Sequence, residues 1–120
     1  MDLVNTPMLQ TLSRALDLTA VRQRLVSENI ANIDTPGYHA RDIDFGRELQ
    51  RALAGDEESP STPVVREVPG LIERPDGNNV SLDRESLLMA QNQLQFQTEV
   101  SLLRSEFNRL QLALSGGSGQ

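Results

Sequence analysis

Apolar side chains recur at helical spacing through the first third of the chain. Thr6 followed by Pro7 is a favourable helix start, because threonine can accept a hydrogen bond from an unpaired N–H and proline there loses no needed donor. One face of the pattern consists of Leu9, Leu12, Leu16, Val26 and Ile30. The spacing predicts a helix over about 7–32. Pro36 ends it, since the residue before proline is driven out of the α region.

A second helical pattern occupies the last third of the chain. Its apolar seam advances in steps of 4, 3, 4, 3 and 4 residues, which is the alternation of a coiled-coil heptad. The seam consists of Phe96, Val100, Leu103, Phe107, Leu110 and Leu114. The spacing predicts a helix over about 82–114, capped by Ser81 or Asp83. Because glycine is a poor helix former, Gly116 and Gly117 predict a stop near Ser115.

The segment between the two helices is irregular. Residues 34–80 contain five of the six prolines and five of the eight glycines, which favour turns. A short helix over 44–54 is predicted by apolar residues four positions apart, namely Phe45, Leu49 and Leu53. We expect a mobile loop over 56–63. At most one short β-hairpin is predicted, with Val64–Val68 and Leu71–Glu73 as its strands.

These patterns predict a mainly α protein without an enzyme-type core. Two long terminal heptad helices are expected to form a helical hairpin or coiled coil, joined by the irregular segment. The expected divisions are an N-terminal helix within 1–33, a connecting segment over 34–80, a C-terminal helix within 81–115 and a flexible tail over 116–120.

Charge is concentrated in the connecting segment. The chain of 120 residues has a net charge of -6, from 17 acidic and 11 basic residues. Residues 34–80 hold ten acids and five arginines, so they supply -5 of that total. An acidic chain does not suit nucleic acid, because neutralising phosphates needs a basic face. The absence of cysteine excludes disulfides and thiolate nucleophiles.

Both helices have more apolar surface than one partner helix covers. A second stripe of Leu18, Val21 and Leu25 lies beside the first on the N-terminal helix, and Leu102 adjoins Leu103. We infer that the chain completes its core by assembling with other subunits. The predicted assembly interface consists of Leu9, Leu12, Leu16, Val26, Ile30, Phe96, Val100, Leu103, Phe107, Leu110 and Leu114.

Candidate catalytic and metal-binding groups are few. His39 is the single histidine, so we expect a surface or interface role for it rather than a zinc site. Asp42 and Asp44 could hold a cation, but no third ligand accompanies them, and a solvated acidic segment is favoured. The turn at 76–79 lacks the spaced acids of a calcium loop. The sequence predicts no catalytic, cofactor or metal site.

The end of the first helix carries an unusual set of residues. Pro36-Gly37 suits the middle of a type II turn, and Tyr38 is expected to fold back as an aromatic anchor. Asn29 and Asn32 lie three residues apart on one helical face and could bond to backbone beyond the turn. The predicted signature turn therefore consists of Asn29, Asn32, Thr35, Pro36, Gly37 and Tyr38.

With Asn32-x-x-Thr35-Pro36-Gly37-Tyr38 and heptad helices on both sides, the chain resembles the bacterial flagellar rod and hook axial proteins. Two further segments, 40–45 and 74–80, resemble the proximal rod proteins within that family. Two positions depart from its usual pattern: His39 stands where Lys or Arg is common, and Ser81 where Asp is frequent.

The resemblance implies a structural subunit of the flagellar basal body that assembles helically in the proximal rod, transmits torque and is located in the periplasm. Implied partners are other copies, other proximal rod proteins, the adaptor protein FliE, and the membrane-ring and export-gate proteins. It also implies export through the flagellar type III apparatus without a cleaved signal peptide, and no such peptide or membrane span is visible in the sequence. The alternative is a soluble coiled-coil adaptor or export chaperone, which would be a stable dimer in isolation.

Overall fold

The computed structural model is mainly α-helical, as predicted, and describes residues 6–55 and 62–118, with side chains up to 116. The predicted mobile loop falls largely on 56–61, outside the described residues. In chain order the elements are α1 (Pro7–Ala31), β1 (Arg41–Asp42), α2 (Phe45–Ala54), β2 (Arg66–Glu67) and α3 (Leu82–Ser118).

The first helix begins where the sequence predicts. Thr6 is its N-cap, with Oγ1 accepting a hydrogen bond from Leu9 N at 3.2 Å, and Pro7 occupies the first helical position. The helix ends at Ala31, and Asn32 is its C-cap. At about 1.5 Å per residue, α1 is roughly 37 Å long.

The two long helices pack side by side in antiparallel directions. Thr19 of α1 contacts Glu99 of α3, whereas Gln23, one turn further along α1, contacts Asn92, two turns earlier in α3. Ser81 caps α3 by accepting a hydrogen bond from Arg84 N at 3.3 Å. The hairpin of terminal helices is therefore confirmed.

The C-terminal helix is longer than predicted. It continues through Gly116 and Gly117 to Ser118 instead of stopping near Ser115, so 116–118 do not form the separate flexible tail that was expected. A glycine within a helix costs only about 1 kcal/mol relative to alanine. A helix that is already formed gains one hydrogen bond for each residue added, which favours continuation.

The short helix α2 covers the second half of α1. Asp44 caps it by accepting a hydrogen bond from Arg47 N at 3.2 Å, and Gly55 follows its end, so the short helix predicted in the connecting segment is confirmed. The buried cluster at this junction consists of Leu18, Leu25 and Ile43, with Val21, Phe45 and Leu49 packed against it.

The predicted β-hairpin was wrong in its pairing. Arg66–Glu67 is a strand, but its antiparallel partner is Arg41–Asp42 and not Leu71–Glu73. Val68 N also donates to Ala40 O at 2.9 Å. Contacts with α1 hold residues 40–42 in an extended conformation. The backbone of β1 is therefore in place to pair with β2.

The buried cluster predicts which apolar side chains stabilise the isolated chain. Leu25→Ala should lower the free energy of unfolding by about 2–5 kcal/mol, because it removes buried methyl groups and leaves a cavity beside Ile43. Leu94→Ala is the matched control: Leu94 is 65% exposed on α3, so its truncation should change stability by no more than about 0.5 kcal/mol. Urea unfolding followed by circular dichroism measures both, and equal losses would contradict the assignment of this core.

Candidate functional site

The signature turn has the predicted backbone geometry. Tyr38 N donates to Thr35 O at 3.2 Å, and Gly37 has a φ of +74°, which is the third position of a type II turn. A φ in this range strains any residue with a Cβ, so glycine is required there for a conformational reason.

Asn29 joins the end of α1 to the chain that follows the turn. Its side chain is buried, and its Nδ2 donates to Arg41 O at 2.9 Å while Oδ1 accepts from Arg41 N at 3.0 Å. The Tyr38 hydroxyl also donates to Asn29 Oδ1, at 3.2 Å. The Asn29 carboxamide thus pairs with the backbone N–H and C=O of Arg41, as a neighbouring strand would. Tyr38 folds back onto α1, as predicted.

Asn32 acts more locally than predicted. Its Nδ2 donates to Glu28 O at 2.8 Å, and its Oδ1 accepts from Thr35 Oγ1 at 3.0 Å. The side chain therefore closes the last turn of α1, where Glu28 O also accepts from Asn32 N at 3.1 Å, and does not bond to backbone beyond the signature turn.

The segment at 74–80 docks onto the signature turn through a buried asparagine that sequence reasoning missed. Asn78 is completely buried, and its Nδ2 donates to Asn32 O at 2.9 Å and Thr35 O at 2.8 Å. Its Oδ1 accepts from Val80 N at 2.8 Å. Both the Nδ2 and the Oδ1 atom of Asn78 have hydrogen-bond partners, so this side chain holds the 74–80 segment against the signature turn.

Backbone contacts bring the same two segments together. Gly37 N donates to Asp76 O at 2.9 Å, and Asn79 N donates to Tyr38 O at 3.2 Å. A Cβ built on Gly77 would lie at an ordinary contact distance of 3.4 Å from Gly37 Cα, so glycine is favoured at position 77 by its φ of +84° and not by lack of space. The Asn79 side chain accepts from Ala40 N at 2.7 Å. The two motifs that are far apart in the sequence are therefore one structural unit.

Arg74 stabilises the end of α1. Its Nη1 donates to Val80 O at 2.8 Å, and its Nη2 donates to Ile33 O just beyond the helix. A cation at a helix C-terminus interacts favourably with the helix dipole and with carbonyls that lack a helical partner.

A charge network lies beneath this unit. Arg22 of α1 binds Asp42 with two hydrogen bonds of 3.1 and 3.0 Å, and Arg84 of α3 approaches the same carboxylate at 4.0 Å. Asp42 is thus occupied by arginine, and Asp44 caps α2, so the two do not form a cation site. The described residues contain no cluster of three or more metal-binding side chains.

Glu85 is the most buried acid of this network. Its Oε1 accepts from Arg84 Nη1 at 3.0 Å, whereas Oε2 has no hydrogen-bond partner among the residues that the structure describes. Burial raises the pKa of the Glu85 carboxyl, and the neighbouring Asn29 and Arg84 offset only part of the rise. Sequence reasoning missed Glu85, because no residue pattern around it shows that it becomes buried.

His39 lies at the edge of the unit between two carboxylates. Its Nδ1 lies 3.2 Å from Glu67 Oε2, and its Nε2 lies 3.0 Å from Glu73 Oε1. The hydrogen bond to Glu67 raises the pKa of His39, and the negative charges of Glu67 and Glu73 add to the rise. The doubly protonated ring would donate to both carboxylates.

The predicted assembly residues of α1 lie mostly inside the chain. Leu9, Leu12 and Val26 are buried by the chain's own packing, and Leu16 and Ile30 are half-buried. The first three are therefore not free surface in this fold, because α2, α3 and the connecting segment pack along α1.

The predicted seam of α3 lies at the edge of the helix pair. Phe96, Phe107 and Leu114 are 48%, 47% and 57% exposed, while Val100, Leu103 and Leu110 are half-buried. The most buried stripe of α3 is instead polar and repeats every seven residues: Glu85, Asn92, Glu99 and Glu106. Sequence reasoning missed this stripe because it counted apolar residues only.

Polar pairs join this stripe to α1. Thr19 Oγ1 lies 2.8 and 2.9 Å from the two carboxylate oxygens of Glu99, and Gln95 Nε2 donates to Glu99 Oε1 at 2.9 Å. Asn92 Nδ2 donates to Thr19 O at 3.1 Å. These contacts favour one register of the helices, since a shift by one turn would leave buried polar groups unpaired.

No helix in the described ranges is long and apolar enough to cross a membrane.

Known proteins resemble the chain over most of its length. The family model for the flagella basal body rod protein matches residues 9–39, which contain most of α1 and the signature turn. Relatives named flagellar basal body rod protein FlgB include one from Salmonella typhimurium, 37% identical over 87% of this chain and 90% of the relative. One from Escherichia coli is 36% identical over 87% and 90%. One from Bacillus subtilis is 31% identical over 91% and 94%.

The turn geometry predicts the effect of adding a side chain at position 37. Gly37→Val should lower the free energy of unfolding by about 1–2 kcal/mol or more, because a β-branched residue is strained at a φ of +74°. Gly46→Ala, within α2, is the control and should be neutral or stabilising by up to about 1 kcal/mol. Thermal unfolding measures both, and a Gly37→Val chain as stable as the parent would contradict the requirement.

Burial of the Glu85 carboxyl predicts that the difference in stability between Glu85→Gln and the parent chain depends on pH. A carboxyl whose pKa is raised by folding stabilises the chain below its unfolded pKa of about 4.3, and this contribution is lost as the pH rises through the folded pKa. Because Gln cannot ionise, Glu85→Gln should match the parent near pH 4 and exceed its stability at pH 7. Urea unfolding at both pH values tests this.

Glu28→Gln is the matched control for the buried carboxyl. Glu28 is exposed and pairs with Arg24 at 3.6 Å, so its loss should change stability by no more than about 0.5 kcal/mol. A Glu85→Gln chain that is less stable than the parent at pH 7 would show that ionised Glu85 stabilises the fold.

Proposed function

Because the chain belongs to the FlgB family of flagellar basal body rod proteins, we propose that it forms the proximal rod, next to the membrane ring and export gate. It is a structural subunit of the flagellar basal body rod and assembles with other basal body components. The observation that carries the assignment is the similarity of 31–37% identity to proteins named flagellar basal body rod protein FlgB, which covers 87% of the chain in one relative and 91% in another.

The geometry supports a subunit that transmits force. Asn29 connects α1 to the backbone of Arg41. Asn78 and Arg74 connect the end of α1 to the 74–80 segment, so the two long helices do not hinge freely about the connecting segment. A connection with few free torsions passes torque from one helix to the other with little loss to bending. We propose that Pro36, Gly37 and Tyr38 set the direction in which the chain leaves α1.

The α3 seam is the proposed assembly interface. Its six side chains are exposed or half-buried, and an apolar stripe at coiled-coil spacing suits packing against helices of neighbouring subunits. On α1 the proposed interface includes only Leu16 and Ile30, which are half-buried, because the other predicted α1 residues are buried within the chain. The proposed neighbours are other copies, other proximal rod proteins, the adaptor protein FliE, and membrane-ring and export-gate proteins.

We further propose that the chain is exported unfolded through the flagellar type III apparatus and that it has no catalytic activity. The lack of cysteine suits that route, because no disulfide can form in the periplasm and trap a misfolded chain. The export route is tested by fractionation: loss of the flagellar export apparatus should leave the chain in the cytoplasm.

The competing function is a soluble coiled-coil adaptor or export chaperone. A chaperone should sediment as a stable folded dimer, whereas a rod subunit with an uncovered apolar seam should be monomeric until it meets its neighbours. Electron microscopy of purified basal bodies carrying a labelled chain separates the two directly. Label at the base of the rod supports the proposal, and label confined to the cytoplasm overturns it.

A charge placed in the seam should block assembly. Leu103→Asp puts a carboxylate in the middle of the α3 seam, where desolvating it against an apolar neighbour costs several kcal/mol, so we expect cells that do not swim. Ser101→Asp is the control because Ser101 is exposed on the other side of the helix. Soft-agar motility gives the readout, and circular dichroism of each purified chain checks that α3 still forms. Normal swimming of Leu103→Asp cells would refute the interface.

A further inference from the structure

The backbone on both sides of His39 is held in place by one residue of the 74–80 segment. Asn79 N donates to Tyr38 O at 3.2 Å, and Asn79 Oδ1 accepts from Ala40 N at 2.7 Å. Ala40 is completely buried, whereas the His39 side chain is half-buried. The imidazole ring is therefore attached at a fixed point beside the signature turn.

The segment 69–73, which follows β2, gains little from apolar packing. Four of its five residues are exposed, and Ile72 is 90% exposed. Just before the segment, Val68 N donates to Ala40 O at 2.9 Å. Because side chains that stay in water contribute little burial free energy, the position of 69–73 depends on polar contacts.

His39 joins both β2 and this segment to the fixed backbone. Its Nδ1 lies 3.2 Å from Glu67 Oε2 of β2, and its Nε2 lies 3.0 Å from Glu73 Oε1. A neutral imidazole has one N–H donor and one acceptor nitrogen, whereas the protonated ring has two donors. Both contacts are therefore hydrogen bonds only in the protonated ring. In the neutral ring, one nitrogen directs its lone pair at a carboxylate oxygen, which is repulsive.

We propose that protonated His39 is a clamp, which holds β2 and the 69–73 segment on the chain beyond the signature turn and releases them when the ring loses its proton. Loss of the proton removes one hydrogen bond and leaves Glu67 and Glu73 without the cation that lies between them. The inference goes beyond the proposed function, because it concerns the folded chain by itself and does not depend on assembly into a rod.

The groups that act on the ring come from β2, from 69–73 and from the 74–80 segment. The hydrogen bond to Glu67 is the largest cause that raises the pKa of His39 above its ordinary value of 6.5. Partial burial lowers this pKa, while the charges of Glu67 and Glu73 and a hydrogen bond with the Gly77 backbone raise it. A group whose pKa is raised by folding stabilises the fold below its unfolded pKa, and this contribution is lost as the pH rises through the folded pKa. The clamp is therefore complete below pH 6.5 and lost at alkaline pH.

Amide hydrogen exchange of the purified full-length chain tests the clamp. The reporter is Val68 N–H, whose hydrogen bond to Ala40 O opens when β2 separates from β1. The protection factor at pH 5.5 divided by that at pH 9 should be at least about twofold larger in the parent than in His39→Lys.

The lysine variant is the matched control. Its ammonium has three donors and, with an ordinary pKa of about 10.4, stays charged at both pH values. Because Glu85 titrates in both chains, its effect on stability cancels in the comparison. Equal ratios in the two chains would overturn the clamp.

The pKa of His39, measured by NMR, gives an independent readout. Glu73→Gln removes one of the two carboxylates and should lower this pKa, whereas Asp83→Asn, at an exposed position at the start of α3, should leave it unchanged. Circular dichroism of each chain checks that the helices still form. The clamp is wrong if the parent's His39 pKa is 6.5 or lower, or if Glu73→Gln does not lower it.

Discussion

The buried carboxamide of Asn78 is the contact on which the arrangement of the two long helices depends. It bonds to backbone carbonyls of Asn32 and Thr35, at the end of α1, and to the backbone of Val80, two residues before α3 begins. Because one side chain holds both helix ends, the start of α3 is placed beside the end of α1. An antiparallel pair follows, since α3 must then run back along α1.

The contact between the long helices is polar where a coiled coil would be apolar. Thr19, Asn92 and Glu99 pair along the α1–α3 contact, and paired buried polar groups contribute little net stability but disfavour other registers. The apolar seam of α3 is consequently left at the edge of the pair. A chain built in this way has a defined monomer fold and keeps its hydrophobic stripe for neighbours, which agrees with a subunit of a helical rod.

Much of the fold could be predicted because its signals are local. Helical spacing located α1 and α3, Thr6 and Pro7 located the start of α1, and Pro36-Gly37 predicted the type II turn. The partner of β2 could not be predicted, because strand pairing depends on which segment is held nearby. Asn78 and Glu85 were also missed, because their burial depends on distant parts of the chain and nothing in their immediate sequence shows it.

The sequence by itself determined the helical segments, the turn that ends α1 and the stripe of apolar residues on α3, since backbone preferences and side-chain periodicity act over a few residues. The tertiary structure alone decided which face of α3 meets α1, and it placed Glu85, Asn92 and Glu99 inside and Phe96, Phe107 and Leu114 at the edge. The reason is geometric. The loops at 35–38 and 74–80 fix where α3 starts and how it is rotated about its axis. This rotation, and not the apolar area of each helix face, decides which face of α3 is buried.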